Sequence, residues 1–379
     1  MQNIINYLLI YLVTTTTSFN LITTYCNYKN NLNIIRNITT QNINYNMKNS
    51  QQKSQQKYNI DNENNPVLIF PGLGGSRLLY KNTKRPLWPP TLMQYIFNFI
   101  NWKKDIIDYK IAETLSFGDP AAFDMNIVLP NKYAKILKHA NVFTMPYDFR
   151  RINDETYLNE LFADVENYIT SFDKPVTLLC HSTGGLLMHW FLHNKPREWK
   201  DKHIGKVINV SVPFGGIGLL LRICLYDTFD INSFIGKDIF RKMGASVINM
   251  PNPLLLTNPH NEAEFNKWSY LRDYELTDMH DSIMSSLQMI NSFKEATDVK
   301  TDIVYCYNEN KNTIKSVHKN KKGNLQIIYG DGDDVVSLES LTFPQHWGNT
   351  DIDAHDNVRF VGFYKCSHSG VLDKLNFII

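Results

Sequence analysis

From residue 66 onward, short apolar runs alternate with longer segments whose apolar side chains recur at helical spacing. Segment 154–172 is one of the helical segments, with its apolar residues on one face. Buried strands that alternate with amphipathic helices build a mainly parallel sheet covered by helices on both faces. We therefore expect an α/β fold with a mainly parallel central sheet. The predicted strands lie at 66–71, 141–146, 175–180, 206–213, 301–307 and 325–330.

Residues 1–65 differ in composition from the rest of the chain. They contain 16 Asn residues and the runs "TTTT" and "QQKSQQK", and they lack the apolar content that a core requires. The apolar stretch 4–13 is typical of a signal sequence or anchor, although no Lys or Arg precedes it; the alternative is a disordered tail. We predict a separate N-terminal segment, 1–65, before a folded domain, 66–379. Secretion or an endomembrane, lysosome-like lumen is favoured over the cytoplasm.

Charge and cysteine usage exclude several classes of protein. The net charge is +2 and no basic stripe interleaved with aromatic residues occurs, so we expect no nucleic-acid partner. The five cysteines are scattered without a C-x-x-C pair, which argues against a zinc site and a dense disulfide framework, and leaves one or two disulfides open. No apolar run is long enough for an ordinary membrane-spanning helix. We expect neither a metal nor a cofactor.

The stretch "LCHSTGG" at 179–185 places Ser182 between a predicted strand and a predicted helix. Nucleophile elbows have this arrangement, and they require small residues beside the serine because strand and helix pack closely. Gly184 and Gly185 meet that requirement downstream. Cys180 stands upstream where glycine is usual. The pattern predicts that Ser182 is a nucleophile.

A nucleophilic serine needs an acid that orients its base, and in this kind of sheet the acid follows the serine along the chain. The acidic loop "DGDDVVSLES" at 331–340 comes directly after the predicted strand 325–330. Asp333 is the first choice for the orienting acid. Asp331 and Asp334 are the alternatives, and a calcium-like acidic loop or a plain turn remains open.

The base must be a histidine that follows the acidic loop. Three histidines do so, namely His346, His355 and His368. His368 lies between the apolar run "VRFVGFY" and an apolar terminal segment, where a side chain would hang over the sheet. His355 lies in a polar loop typical of an exposed turn. His181, next to the serine, is interpreted as structural, because residues adjacent to an elbow serine point away from it.

Acyl transfer also needs two backbone N–H groups for the oxyanion. The residue after the nucleophile, Thr183, would supply one of them. Leu73, in the glycine-rich loop "FPGLGGSRL" at 70–78, would supply the other. A phosphate-binding role for this loop is disfavoured, since neither G-K-[ST] nor G-x-G-x-x-G is present.

Several segments in this order resemble the lecithin:cholesterol acyltransferase family, which includes lysosomal phospholipase A. The matching segments are "PVLIFPGLGGSRL", "MPYDFR", "KPVTLLCHSTGGLLMHWFL", "WKDKHIGKVINVSVPFGG", "YGDGDDVVSLES" and "HSGVL", which span most of 66–379. The resemblance implies an α/β-hydrolase fold, a triad of Ser182, Asp333 and His368, and an oxyanion hole at Leu73 and Thr183. Two departures stand out: Cys180 in the elbow, and the absence of a cysteine near Trp88, where relatives commonly carry a disulfide.

Two segments interrupt the alternation of strands and helices, and the resemblance implies a function for each of them. Residues 84–118 contain an aromatic, charge-free stretch between Lys/Arg pairs and would be an insertion that contacts a membrane. Residues 214–298 are irregular and rich in Leu, Ile and Phe, and would form a cap or lid over an acyl-chain groove. Core packing is the alternative for both. The predicted membrane contacts are Trp88, Phe97, Phe99 and Trp102.

We therefore predict a serine-dependent lipid acyl hydrolase or acyltransferase acting on glycerophospholipid through an acyl-enzyme. Its partners would be a lipid substrate and the surface of a phospholipid membrane or lipid particle. One alternative is a hydrolase of neutral lipids or small esters. An alternative of another class is a catalytically silent lipid-binding protein.

Overall fold

The computed structural model describes a defined part of the 379-residue chain. The predicted N-terminal segment, apart from Asn65, lies outside the described residues. Phe97, one of the predicted membrane contacts, also lies outside them. The described residues are 65–91, 94, 98–123, 133–225, 236–252, 268, 270–294, 296–297, 299, 302–319, 324–346 and 358–377.

The described chain contains both strands and helices, and runs of consecutive helices or strands interrupt their alternation. The strands are β1 (Val67–Phe70), β2 (Leu78–Tyr80), β3 (Pro86–Trp88), β4 (Ala112–Thr114), β5 (Val142–Thr144), β6 (Val176–His181), β7 (Ile204–Val210), β8 (Asp302–Glu309), β9 (Thr313–Lys319), β10 (Leu325–Gly330) and β11 (Val358–Tyr364). The α-helices are α1 (Phe99–Asp105), α2 (Glu155–Thr170), α3 (Thr183–His193), α4 (Arg197–His203), α5 (Gly218–Leu225), α6 (Lys237–Lys242), α7 (Gly244–Ile248), α8 (Tyr270–Asp273), α9 (Thr277–Ser285), α10 (Leu287–Ser292) and α11 (Leu338–Leu341). Short 3₁₀ turns span Pro120–Phe123, Ile136–Lys138, Phe343–His346 and Gly370–Phe377.

The central sheet has six strands in the order β11-β8-β7-β6-β1-β5, and every neighbouring pair is parallel. All of β1 and β6 is buried, as expected for strands covered by other elements on both faces. Leu68 and Phe70 point into one hydrophobic cluster, whereas Val67 and Ile69 point into a second. The predicted α/β fold with a mainly parallel sheet is confirmed.

One predicted strand of the central sheet lies elsewhere. Residues 325–330 form β10, which pairs antiparallel with β9 in a separate two-stranded sheet. The side chains of β10 are half-buried or exposed, with Tyr329 53% exposed. A strand of the central sheet would bury the side chains on both of its faces, because helices cover both faces of that sheet. The apolar residues of "LQIIYG" suggested such a strand, and the prediction that it belongs to the central sheet is wrong. β10 nevertheless leads directly into the acidic loop, as expected.

The two interrupting segments form compact structure in their described parts. Within 84–118, β3 and β4 flank β2 in a three-stranded antiparallel sheet, and α1 packs beside it. Within 214–298, helices α5 to α10 contribute many buried apolar side chains to the larger hydrophobic cluster. The predicted membrane and lid roles of these segments stay predictions.

Candidate active site

Ser182 occupies a strained turn between β6 and α3. Its backbone has φ 53° and ψ −127°, a conformation that costs a non-glycine residue about 1–3 kcal/mol. The turn is held in place because the Ser182 N–H donates to the carbonyl of Val210, at the end of β7, at 2.8 Å. This geometry is that of a nucleophile elbow, which projects the side chain beyond the carboxyl edge of the sheet.

The glycines after Ser182 are needed for close packing. A Cβ atom on Gly184 would lie 2.4 Å from the carbonyl oxygen of Phe70, and one on Gly185 would lie 2.2 Å from a methyl carbon of Val212. Both distances are shorter than any that real Cβ atoms adopt. Cys180 causes no such conflict, because it is fully buried within β6 as a small apolar side chain.

The structure brings Ser182, His368 and Asp333 into one hydrogen-bonded row. His368 Nε2 lies 3.0 Å from Ser182 Oγ, and His368 Nδ1 lies 2.7 Å from Asp333 Oδ2. Asp333 is completely buried, and its other carboxylate oxygen accepts the N–H groups of Val335 and Val336 at 3.0 and 2.7 Å. These bonds satisfy the buried carboxylate and fix the direction in which it faces the imidazole.

The neighbouring acids take other positions. Asp331 accepts the N–H groups of Asn310 and Gly332, so it stabilises the turn that carries Asp333. Asp334 has φ 77° and is only partly exposed, and its carboxylate accepts the backbone N–H of His368. Its pKa is raised, mainly by partial burial and also by the charge of Asp333.

Among the three candidate histidines, His368 is the one that the structure places against the serine. His346 ends a 3₁₀ turn, and His355 lies outside the described residues. Burial opposes the charged form of His368 and would lower its pKa. The charge and hydrogen bond of Asp333, with the charge of Asp334, outweigh burial and raise the pKa above its ordinary value. A protonated imidazole at His368 would therefore be stabilised in place by Asp333.

The predicted oxyanion donor Thr183 directly follows Ser182, and the other predicted donor, Leu73, follows Gly72, which packs against the serine. Neither the Leu73 N–H nor the Thr183 N–H donates to any acceptor within the described part of the chain. Thr183 begins α3, where the first N–H groups of a helix have no partner inside the helix. Gly72, next to Leu73, lies against the serine so closely that a Cβ would be 2.9 Å from Ser182 Cβ. The oxyanion role of these two residues stays a prediction.

Sequence reasoning missed two residues at this site. Tyr133 hydrogen-bonds both the Gly72 N–H and the ring of His181, at 3.0 and 2.8 Å. Asn249, which follows α7, donates to Thr183 Oγ1 at 2.9 Å and is completely buried. Neither residue lies in one of the sequence motifs that predict a catalytic role, so the sequence alone did not point to them.

Of the four aromatic residues predicted to contact a membrane, Trp88 and Trp102 lie deeper than expected. Trp102 is only 2% exposed, and its indole donates to the carbonyl of Leu87 at 2.8 Å. Its prediction as a surface contact is therefore wrong, because the indole packs inward from α1. Trp88 is half-buried, stacks on Trp102 and donates to Gly74. Phe99 begins α1, and Phe97 lies outside the described residues.

A sequence model of the lecithin:cholesterol acyltransferase family matches residues 133–251, the stretch that contains Ser182 and its elbow. The resemblance to this family is confirmed. The lysosomal phospholipase A and acyltransferase of Mus musculus is 24% identical over 305 residues, which make up 74% of this chain and 71% of that protein. The phosphatidylcholine-sterol acyltransferase of Gallus gallus is 26% identical over 228 residues, which make up 56% of this chain and 55% of that protein.

Both of these relatives are named as enzymes. The expectation that this protein is an enzyme is confirmed by its similarity to them and to the family model. Among solved structures, that of the Tle4–Tli4 complex contains a chain with TM-score 0.48 and 12% identity, covering 82% of this chain and 95% of that one. That likeness is too distant to bear on function.

The described cysteines are all free. Cys180, Cys224, Cys306 and Cys366 are buried and unpaired with one another, and burial raises the pKa of each thiol. They act as small apolar side chains.

In the part of the chain that the structure describes, no helix is both long and apolar enough to cross a membrane.

Proposed function

We propose that this protein is a serine-dependent lipid acyl hydrolase and acyltransferase whose acyl donor is a glycerophospholipid. The observation that carries the proposal is the row of contacts from Ser182 Oγ through His368 to the buried Asp333. Nucleophile, base and orienting acid are in hydrogen-bond reach of one another, which is the arrangement that acyl transfer requires.

In the first half of the reaction, Ser182 Oγ attacks the ester carbonyl carbon and its proton passes to His368 Nε2. The carbonyl oxygen becomes an oxyanion, which the Leu73 and Thr183 N–H groups stabilise. The carbon–oxygen bond to the lysophospholipid then breaks, and the leaving alkoxide takes the proton from His368. The acyl group is left as an ester on Ser182. Asp333 holds the imidazole in the required tautomer throughout.

In the second half, water or a lipid alcohol gives its proton to His368 Nε2 and attacks the carbonyl carbon of the acyl-enzyme. The bond from that carbon to Ser182 Oγ then breaks, and Ser182 Oγ takes the proton back from His368. Water yields a fatty acid, and an alcohol yields a new ester. The two outcomes differ only in which hydroxyl reaches the acyl-enzyme. Hydrolysis is the default because water is always present, and transfer takes over as an alcohol acceptor becomes available.

A lipid donor is supported by the relatives and by one exposed surface. Both relatives carry acyltransferase in their names, and one name specifies phospholipase A and a lysosomal location. On α1, Ile100 is 73% exposed, and Lys104 on the same helix is exposed as well. An apolar side chain beside a cation fits the interface of a phospholipid bilayer. We place the protein in a lumenal or secreted setting on the same grounds.

The full chain should release fatty acid from phosphatidylcholine vesicles and should form a new ester when a long-chain alcohol is added. Products would be resolved by mass, with Ser182→Ala protein as the background. A fall in fatty acid matched by a rise in ester would indicate one acyl-enzyme that partitions between two acceptors. Hydrolysis of soluble short-chain esters with no phospholipid product would contradict the lipid donor and favour a small-ester hydrolase. Vesicle binding without any product would favour a silent lipid-binding protein.

Changing Ile100 to aspartate should weaken vesicle association by about 10- to 100-fold, because burial of one isoleucine side chain contributes about 1.5–3 kcal/mol and each 1.4 kcal/mol is tenfold in affinity. Turnover of a soluble ester should not change, since α1 supplies no side chain to the row of catalytic groups. Met284→Asp is the matched control, because Met284 is also an exposed apolar residue, at 44%, but lies on α9. Equal losses in both variants, measured by vesicle co-sedimentation, would rule out a specific contact through α1.

A further inference from the structure

Two loops from opposite ends of the described chain lie next to Ser182. The oxyanion loop, residues 70–78, carries Leu73, and the base loop, residues 365–370, carries His368. Acyl transfer requires the Leu73 N–H and the His368 ring to be positioned correctly around the same serine. Tyr133 and His181 lie between them. Gly72 N–H donates to Tyr133 Oη at 3.0 Å, and Tyr133 Oη contacts His181 Nδ1 at 2.8 Å. His181 Nε2 reaches the backbone carbonyl of His368 at 3.4 Å. The contacts form one continuous connection from the first loop to the second.

The directions of these hydrogen bonds follow from their end groups. A carbonyl oxygen only accepts, so His181 Nε2 carries the hydrogen that faces His368. In the neutral imidazole, Nδ1 is then an acceptor, and the Tyr133 hydroxyl donates to it. Burial raises the pKa of the Tyr133 phenol well above its ordinary value, although the Gly72 N–H opposes this. The phenol therefore keeps the proton that it donates.

Both side chains are held tightly. Tyr133 is 4% exposed and His181 is 5% exposed, so their hydrogen bonds are shielded from water. The ring of His181 packs against the ring of His368 with centroids 5.2 Å apart and against the ring of Tyr133 with centroids 5.8 Å apart. A Cβ on Gly72 would lie 3.2 Å from His181 Nδ1, so the oxyanion loop itself touches this ring.

We infer that Tyr133 and His181 are positioning residues, which hold the oxyanion loop and the catalytic histidine in their positions relative to Ser182. They touch neither the substrate nor the reacting atoms in this account. Tyr133 fixes Gly72 and hence the direction of the Leu73 N–H, while His181 fixes the backbone of His368 and hence the reach of its Nε2. The inference rests on the proposed function, because it assigns these residues to the same reaction.

The test compares Tyr133→Phe, His181→Leu and His181→Gln in the full chain, with a p-nitrophenyl ester of a medium-chain fatty acid as substrate. Tyr133→Phe and His181→Leu should lower kcat by about 10- to 100-fold, as expected for small misplacement of catalytic groups, and leave KM nearly unchanged. His181→Gln should recover most of the rate, because the glutamine amide N–H can still reach the His368 carbonyl.

Tyr274→Phe is the matched control, since this buried tyrosine donates to the carbonyl of Val317 at 2.9 Å, away from the row of catalytic groups. It should lower the melting temperature without changing kcat. If Tyr274→Phe lowers kcat as much as Tyr133→Phe does, the effect is general destabilisation and the inference fails. Unchanged kcat in Tyr133→Phe and His181→Leu, with Ser182→Ala inactive, would overturn the inference alone. An active Ser182→Ala enzyme would overturn the proposed function and the inference with it.

Discussion

Replacing Ser182 with alanine is expected to lower the rate of acyl release from phosphatidylcholine by about 10³-fold or more, while the protein stays folded. The variant loses the oxygen that forms the acyl-enzyme bond. It keeps the backbone hydrogen bond from residue 182 to Val210, and it adds no atom to the tightly packed elbow. Initial rates from product mass spectra, together with the melting temperature, would separate lost chemistry from lost structure.

Ser286→Ala is a suitable control for this variant. Ser286 is also a buried serine, 7% exposed, and its hydroxyl donates to the Ser282 carbonyl at the end of α9. Its loss should leave the rate unchanged. A Ser182→Ala rate within about 10-fold of the wild-type rate would mean that another group attacks the ester.

Replacing Asp333 with asparagine should lower kcat by about 10³- to 10⁴-fold with little change in fold. The asparagine oxygen would keep accepting the Val335 and Val336 N–H groups, so its NH₂ would turn toward His368 Nδ1. An N–H facing Nδ1 forces the hydrogen of the neutral imidazole onto Nε2. That nitrogen can then no longer accept the proton of Ser182.

The same variant should change the pH dependence of the reaction. In the wild type, kcat/KM should fall as the pH drops through the pKa of His368, which Asp333 raises above its ordinary value, because an imidazolium cannot act as the base. Without the Asp333 charge, burial still lowers this pKa, so the acidic limb of the profile should move to lower pH. Asp331→Asn, which changes a neighbouring acid that faces Asn310, should leave both rate and profile nearly unchanged. An acidic limb that stays in place in Asp333→Asn would contradict the assignment of His368 as the base.

The sequence predicted the fold well where residue patterns are local. Buried strands such as β1 and β6 consist mostly of apolar residues because both faces of the sheet are covered, and this pattern is visible in the sequence. The strained elbow at Ser182 was predictable for a similar reason, since close packing leaves only glycine at 184 and 185. Chain order, which the topology of such a sheet fixes, limited the acid to Asp331, Asp333 or Asp334 and the base to the three histidines that follow them.

Predictions failed where the outcome depends on tertiary context. The apolar letters of "LQIIYG" do not reveal that β10 pairs with β9 outside the central sheet. Trp102 looked like a surface aromatic because it sits among basic residues, yet its indole packs inward onto Leu87. Tyr133 and Asn249 have no signature of their own, because each acts through contacts with residues far away along the chain.

The central claim, that Ser182 carries the acyl group taken from phospholipid, is tested most directly by a long-chain fluorophosphonate. In this probe, Ser182 Oγ would form a bond to phosphorus as fluoride leaves, and its proton would pass to His368. Mapping the adduct by peptide mass while following phosphatidylcholine hydrolysis measures both site and function. We expect one adduct per chain, on Ser182, with activity lost in proportion to labelling. An adduct on another residue, or full labelling of Ser182 with hydrolysis intact, would contradict it.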